Sequence, residues 1–219
     1  MHIIVLASAK GGVGKTTLAA HLAVAAEVAG DGPAVLIDAD PQASLAEWWN
    51  VRAAETPAFA STTLASLAGD LERLAAAGVK LAVIDTPPSA TEHIREVVAL
   101  GSFVLIPVKP SPHDLRAVGR TVELVEAGGR PFGFVVTMAK TNAKLTTQAI
   151  AALSEHGVVA PAIIVDRVDY AASMTDGRTV QELAPKGPAA KEAAALWDFV
   201  KARLHGNTKA RKRVKTILD

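Results

Sequence analysis

Two lysines five residues apart open the chain's most chemically suggestive stretch, Ala9-Lys10-Gly11-Gly12-Val13-Gly14-Lys15-Thr16-Thr17. A short apolar run, Ile3 to Ala7, precedes it, and a helical pattern through Leu18, Leu22 and Val28 follows. Strand, glycine-rich loop and helix N-terminus in that order suit phosphate binding. Gly11, Gly12 and Gly14 let the backbone curl so that N–H groups, including that of Val13, point inward, and the helix dipole adds positive potential there. Lys15 would reach the β- and γ-phosphates, and the Thr16 hydroxyl would sit on Mg²⁺. The usual pattern, G-x-x-x-x-G-K-[ST], has glycine where this chain has Ala9. Lys10 then follows. A lysine in the curl of such a loop directs its side chain away from the phosphates that its own backbone binds. It is either a solvated surface charge or a reach toward another molecule's nucleotide, in the manner of an arginine finger supplied in trans.

Three carboxylates complete the set. Asp85 ends the apolar run Lys80–Ile84, where a strand-tip carboxylate orients Mg²⁺ through its water shell. Asp38 and Asp40 end the run Ala34–Ile37, two residues apart and so on one face if strand geometry persists. A carboxylate near a γ-phosphate can position the attacking water, and Asp40 is placed ahead of Asp38 for that task. Asp38 is the further candidate for the metal.

The elements that must hold these residues alternate. Strand-like runs are expected at Ile3–Ala7, Ala34–Ile37, Lys80–Ile84, Phe103–Val108, Phe132–Thr137 and Ala162–Val165. Helical spacing is expected over Ala43–Asn50, around Leu64–Ala75, and over Thr91–Leu100, Leu115–Ala127, Leu145–Glu155 and Ala189–Leu204. This alternation predicts an α/β doubly wound fold, a mostly parallel sheet flanked by helices, with ligands at the carboxyl ends of the strands. His205-Gly206-Asn207 is read as closing the last helix, giving a phosphate-loop domain over 1–205 and a basic tail over 206–219.

Composition narrows the class. Half of the 219 residues are apolar and few are aromatic, which suits Ala, Val, Leu and Ile helices packed on a parallel sheet. A net charge of +1 carries no overall nucleic-acid signature, and the absence of cysteine excludes disulfides and thiolate metal sites. The first apolar run is too short for a signal peptide, and no run is long enough to cross a membrane. A soluble, cytoplasmic protein is therefore expected. The histidines at 2, 21, 93, 113, 156 and 205 lack metal-ligand spacing.

Lys10–Thr17, Leu36-Ile37-Asp38-Ala39-Asp40-Pro41-Gln42 and Val83-Ile84-Asp85-Thr86-Pro87-Pro88 together resemble the deviant Walker motifs of the ParA/MinD group of ATPases. The likeness is closest to small ParA-type partition ATPases, and Gly177-Arg178-Thr179-Val180 before the terminal helix extends it to roughly 1–204. It implies an ATP- and Mg²⁺-dependent homodimer that hydrolyses ATP slowly until a ParB-like centromere-binding or adaptor protein stimulates it. In that scheme Lys10 acts across the dimer, Lys15 on its own nucleotide, Thr17 near the α-phosphate, and Pro110 beside the nucleotide or interface. Thr137 stands where many relatives carry an asparagine near the base, and His21 also replaces a common asparagine.

Lys201, Arg203, Lys209, Arg211, Lys212, Arg213 and Lys215 concentrate positive charge at the end of the chain. A ParA-like protein needs non-specific DNA affinity, which rests on phosphate neutralisation and doubles in contacts on dimerisation. Nucleoid association would follow. The rival is a MinD-like membrane helix, for which Ala210, Val214, Ile217 and Leu218 offer too little apolar area. Positioning of a protein assembly uses the same ATPase. A metabolic P-loop kinase would have no use for Lys10 in trans.

Overall fold

The structure is a computed structural model that describes residues 1–141 and 143–215, with side chains through Gly206. Its strands are β1 (His2–Leu6), β2 (Ala34–Asp38), β3 (Ala58–Phe59), β4 (Leu81–Asp85), β5 (Phe103–Val108), β6 (Phe132–Val136) and β7 (Val158–Val159). Its helices are α1 (Lys15–Val28), α2 (Ser44–Asn50), α3 (Leu67–Ala76), α4 (Glu92–Leu100), α5 (Pro112–Ala127), α6 (Lys144–Ser154), α7 (Val168–Met174), α8 (Val180–Leu183) and α9 (Pro188–Lys215). The strands form one seven-stranded sheet in the order β3-β2-β4-β1-β5-β6-β7, and every described pairing is parallel.

Helices cover both faces, which is why the central strands read as unbroken apolar runs. Alternate side chains face opposite ways. Ile4 and Leu6 of β1 join Leu36, Val83 and Leu105 in a core under α1 and α9, closed by Trp48 and Trp197. Val5 joins Ile37, Ile84, Val104 and Ile106 in a second core under α3, α4 and α5. Helix α1 is buried on nearly all sides, from Leu18 to Ala26, because its alanines admit both the sheet and α9.

The chain moves from β1 toward β2 on one side and from β4 across β1 to β5 on the other. The carboxyl ends of β4, β1 and β5 are thus the crevice where ligands bind in such sheets. Register aligns the chemistry there: Asp85 pairs with Leu6 on one side and with Asp38 on the other.

Three expectations need correction. The strand anticipated at Ala162–Val165 is found earlier, at β7, whose ladder to β6 runs on through Ala160 N–H, which donates to Phe134 O at 2.7 Å, until the chain bends at Pro161. Pairing resumes beyond it, where Ile164 N–H donates to Val136 O at 2.9 Å and Val165 bridges Ala139. The amphipathic helix around Leu64 starts at Leu67, leaving Leu64 exposed before it. Finally, α9 does not close at His205–Asn207 but runs through Gly206 to Lys215. One glycine costs about 1 kcal/mol against alanine, which the surrounding Ala, Lys and Arg residues tolerate.

Candidate functional site

Beyond β1 the chain curls into the glycine-rich loop. Gly12 and Gly14 adopt φ of 69° and 90°, a left-handed region that side chains other than glycine rarely adopt. Gly14 leads directly into α1 with no side-chain cap. Among the described residues, no acceptor within the chain is hydrogen-bonded to the N–H groups of Gly11 through Thr17. They form a nest for an anion at a helix N-terminus. The two preceding N–H groups are turned elsewhere. Ala9 donates to Thr121 Oγ1 of α5 at 2.9 Å, and Lys10 donates to Ser8 Oγ at 3.2 Å. The position that lacks glycine is thus tied to α5.

Lys15 lies buried beneath the nest, and its ammonium is held below its usual pKa by burial, against the pull of Asp85 and Asp40. The Thr16 hydroxyl donates to Asp85 Oδ2 at 2.5 Å. Asp85 is almost completely buried, and its Oδ1 has no partner among the described residues. Burial pushes its carboxyl up to about 7; the Thr16 hydrogen bond and Lys15 lower it, while Asp38 and Asp40 raise it. A buried carboxylate with an orphaned oxygen, a hydroxyl beside it and an excess of nearby acids fits a divalent cation. Among the described residues no cluster of three or more His, Cys, Asp or Glu could hold a metal by itself. That fits Mg²⁺ carried largely by phosphates and water.

The carboxylates after β2 divide their work. Asp38 Oδ2 accepts from Leu45 and Ala46 N–H at 2.9 and 3.0 Å, at the start of α2, and its Oδ1 accepts from Asp40 N–H at 3.0 Å. Both oxygens are engaged in shaping the loop, beside the Asp85 tip. Asp40 Oδ1 accepts from Gln42 N–H at 2.9 Å in an Asx turn. Ala39 N–H donates to Asp85 O at 2.9 Å, which keeps this loop beside the Asp85 tip.

Thr137, expected beside the base, lies under the loop instead. It is 2% exposed and its hydroxyl donates to Val13 O at 3.0 Å, so it braces the nest from β6. Pro110 sits in the tight turn between β5 and α5, where Ser111 N–H donates to Lys109 O at 2.8 Å. Lys109 opens this turn. Its Nζ lies 3.9 Å from where a Cβ on Gly12 would stand, adding a cation at the loop.

His21 has no role that its sequence neighbours reveal, and its partners in the fold supply one. It is 1% exposed; its Nδ1–H donates to Thr17 O at 2.7 Å, and its Nε2 accepts from Val180 N–H at 3.2 Å. These partners require the neutral ring, and burial pulls its pKa down to about 4. The Gly177–Val180 motif is thereby joined to the nucleotide helix. The same motif is joined to α2 and the turn after it: Trp48 Nε1 donates to Arg178 O at 3.2 Å, and Arg52 Nη1 donates to Gly177 O at 2.7 Å. Trp48 and Trp49 serve packing: Trp49 Nε1 donates to Pro57 O at 3.0 Å.

Acid should therefore weaken the fold through His21. Its folded pKa lies below its unfolded value of 6.5, so its contribution is complete above pH 6.5 and is lost as pH falls toward 4. The loss is about 3 kcal/mol across that window. Asp85, with a raised pKa, acts in the opposite sense between pH 4 and 7, so the variant comparison isolates the histidine. In denaturant unfolding, His21→Asn should narrow its stability deficit against wild type as pH falls from 7 to 4.5. A deficit that stays constant would reject the neutral-ring requirement.

Of the basic residues near the end, Lys201 Nζ lies 2.7 Å from Asp31 Oδ1, and the Arg203 guanidinium stacks 5.2 Å from the Phe199 ring centre. Lys209, Arg211, Lys212, Arg213 and Lys215 have side chains outside the described residues. Arg167 and Tyr170 both engage Glu192 of α9.

Residues 4–180 match the family model of the CobQ/CobB/MinD/ParA nucleotide binding domain. The chain belongs to this family. It is a ParA/MinD-type ATPase that uses ATP and Mg²⁺. It is 31% identical to the chromosome-partitioning ATPase Soj of Thermus thermophilus, across 92% of this chain and 96% of that one. It is 27% identical to the maintenance of carboxysome distribution protein A of Halothiobacillus neapolitanus, across 86% of this chain and 91% of that one. The fold is shared with an ATP complex of Cyanothece McdA, at a TM-score of 0.72 and 21% identity over 94% of this chain and 96% of that one. For this ATPase, the nest and Lys15 would hold the phosphates, and Thr16 and Asp85 would hold Mg²⁺. The bound ion would neutralise charge on the transferred phosphoryl group.

Proposed function

We propose that this ATPase is a nucleotide-switched homodimer that attaches to DNA without sequence preference and positions a cargo along it. A partner of the ParB or adaptor type stimulates hydrolysis and releases the dimer. The observation that carries this reading is Lys10. Its side chain extends to α5, where it pairs with Asp114 at 3.1 Å while 39% exposed, so it does not serve the nest as Lys15 does and is open to a second copy's nucleotide. Asp40 orients the attacking water, and the loop around Pro110 faces the nucleotide or the partner copy.

DNA attachment is assigned to Lys201, Arg203 and the cations beyond Gly206. The extension of α9 supports this, because one continuous helix carries the chain from the body of the protein to Lys215. Association with the nucleoid follows. Among the described residues no helix is long and apolar enough to cross a membrane. The cargo is a plasmid or chromosome in the first reading. A protein assembly is the second, supported by the relative named for carboxysome distribution.

The test is DNA binding measured across salt concentrations with ATP, with ADP and without nucleotide. Binding should be strongest with ATP and should fall steeply with salt. Truncation after Gly206 removes five cations per copy and should flatten the log–log slope by about 0.9 for each DNA phosphate that is no longer neutralised. An unchanged slope would move DNA binding to the body of the dimer.

A further inference from the structure

We propose that Thr137 is a positioning residue for phosphate binding: its hydroxyl turns the Val13–Gly14 peptide so that the Gly14 N–H faces the nest.

The glycine that lets the loop curl leaves its own N–H unfixed. Gly14 has a φ of 90°, and with no Cβ a φ of about −90°, which reverses the preceding peptide, is as open to it. No side chain caps α1 at this point, and no described acceptor within the chain bonds the Gly14 N–H. Local structure therefore permits both orientations of the peptide, and only one of them offers a donor to a phosphate.

The choice is made from the carbonyl end. Thr137 Oγ1 donates to Val13 O at 3.0 Å, and in a trans peptide the carbonyl and the following N–H point in opposite directions. A Val13 carbonyl drawn down onto the end of β6 thus sends the Gly14 N–H the other way, into the nest. Strand alternation explains why a hydroxyl is available there. Phe134 and Val136 face the core under α3, α4 and α5, whereas Val135 faces the core under α1 and α9. Thr137 follows on the side of Val135 and so comes up beneath the start of α1.

The strand end is anchored on both sides of this contact. Thr137 N–H donates to Val108 O at 2.9 Å, and Ala139 N–H donates to Ile164 O at 3.1 Å. Between them Met138 adopts a φ of 49°, a left-handed conformation that is costly for a residue with a side chain and persists where its surroundings impose it. The turn brings Met138 Cε to 3.7 Å from where a Cβ on Gly14 would stand. The same strand end therefore meets the Val13–Gly14 peptide twice.

Thr137→Val keeps the shape and removes the hydroxyl, while Thr137→Ser keeps the hydroxyl. Binding of ADP is measured by calorimetry for both variants and the wild type, and the Gly14 amide is followed by ¹⁵N NMR in the same proteins. ADP is the probe because the dimer reading ties association to ATP, so the result stands apart from that reading. A nest donor lost from a phosphate costs about tenfold in affinity or more, so Thr137→Val should bind ADP at least about tenfold more weakly, with Thr137→Ser close to wild type. Without nucleotide, the Gly14 signal should be single in wild type and in Thr137→Ser, and should shift, broaden or split in Thr137→Val. A merely structural hydroxyl predicts a lower melting temperature in Thr137→Val with ADP affinity and the Gly14 signal unchanged, and that outcome would overturn the proposal. Equal losses of affinity in the valine and serine variants, or weaker binding with an unmoved Gly14 signal, would overturn it too. Should Thr137→Val fail to fold, Thr137→Ala serves in its place with the same expectations. Failure of both to fold would give Thr137 to the core and end its assignment to the nest.

Discussion

Asp40→Ala should lower ATP turnover by about a hundred- to thousandfold and leave ATP-bound dimers to accumulate. Phosphoryl transfer asks little of a protein beyond positioning and charge, so a water-orienting carboxylate carries much of the rate. Asp40 is prepared for this by its neighbours. Asp38 braces its backbone and starts α2, while the Asx turn to Gln42 occupies one of its oxygens. The other oxygen has no donor among the described residues. The variant removes no core contact, so its fold should survive, and binding through the nest and Lys15 should persist. Phosphate release and light scattering on the same samples check the two halves together. Turnover at the wild-type rate would remove Asp40 from the mechanism.

Lys10→Ala should abolish ATP-dependent dimers while sparing the monomer. The stability that its half-exposed ion pair supplies is small, about 1 kcal/mol or less. In a dimer the same ammonium would meet phosphate oxygens twice, once for each copy. Charge-assisted contacts of that kind are worth about 1.5–3 kcal/mol each, so association should weaken by at least about a hundredfold. The contrast between those magnitudes is the test: a thermal melt close to wild type together with monomers in the presence of AMPPNP. Dimers that persist unchanged would return Lys10 to the status of a surface charge.

The phosphate loop, the two acidic strand tips and the parallel sheet were legible because each depends on neighbours in sequence. Glycines at positive φ, a lysine and a threonine at the next helix start, and apolar runs ending in aspartate are local patterns. The boundaries that failed were those where locality failed. A strand paired with β6 ended at the bend of Pro161, and Gly206 did not stop a helix whose own residues favour continuation.

Roles set by distant partners could not be read in advance. Thr137 looked like a base contact until β6 brought its hydroxyl under Val13. His21 had no derivable consequence until α8 placed Val180 N–H against its Nε2. Asp114 meets Lys10 only because α5 carries it there. By itself, then, the sequence determined the chemistry of the site, because phosphates are held by backbone N–H groups and by side chains a few residues away. The tertiary structure alone decided which residues brace that chemistry and which restrain it. A hydrogen bond or ion pair forms only where the fold brings two groups within about 3 Å, and no local spacing encodes that distance.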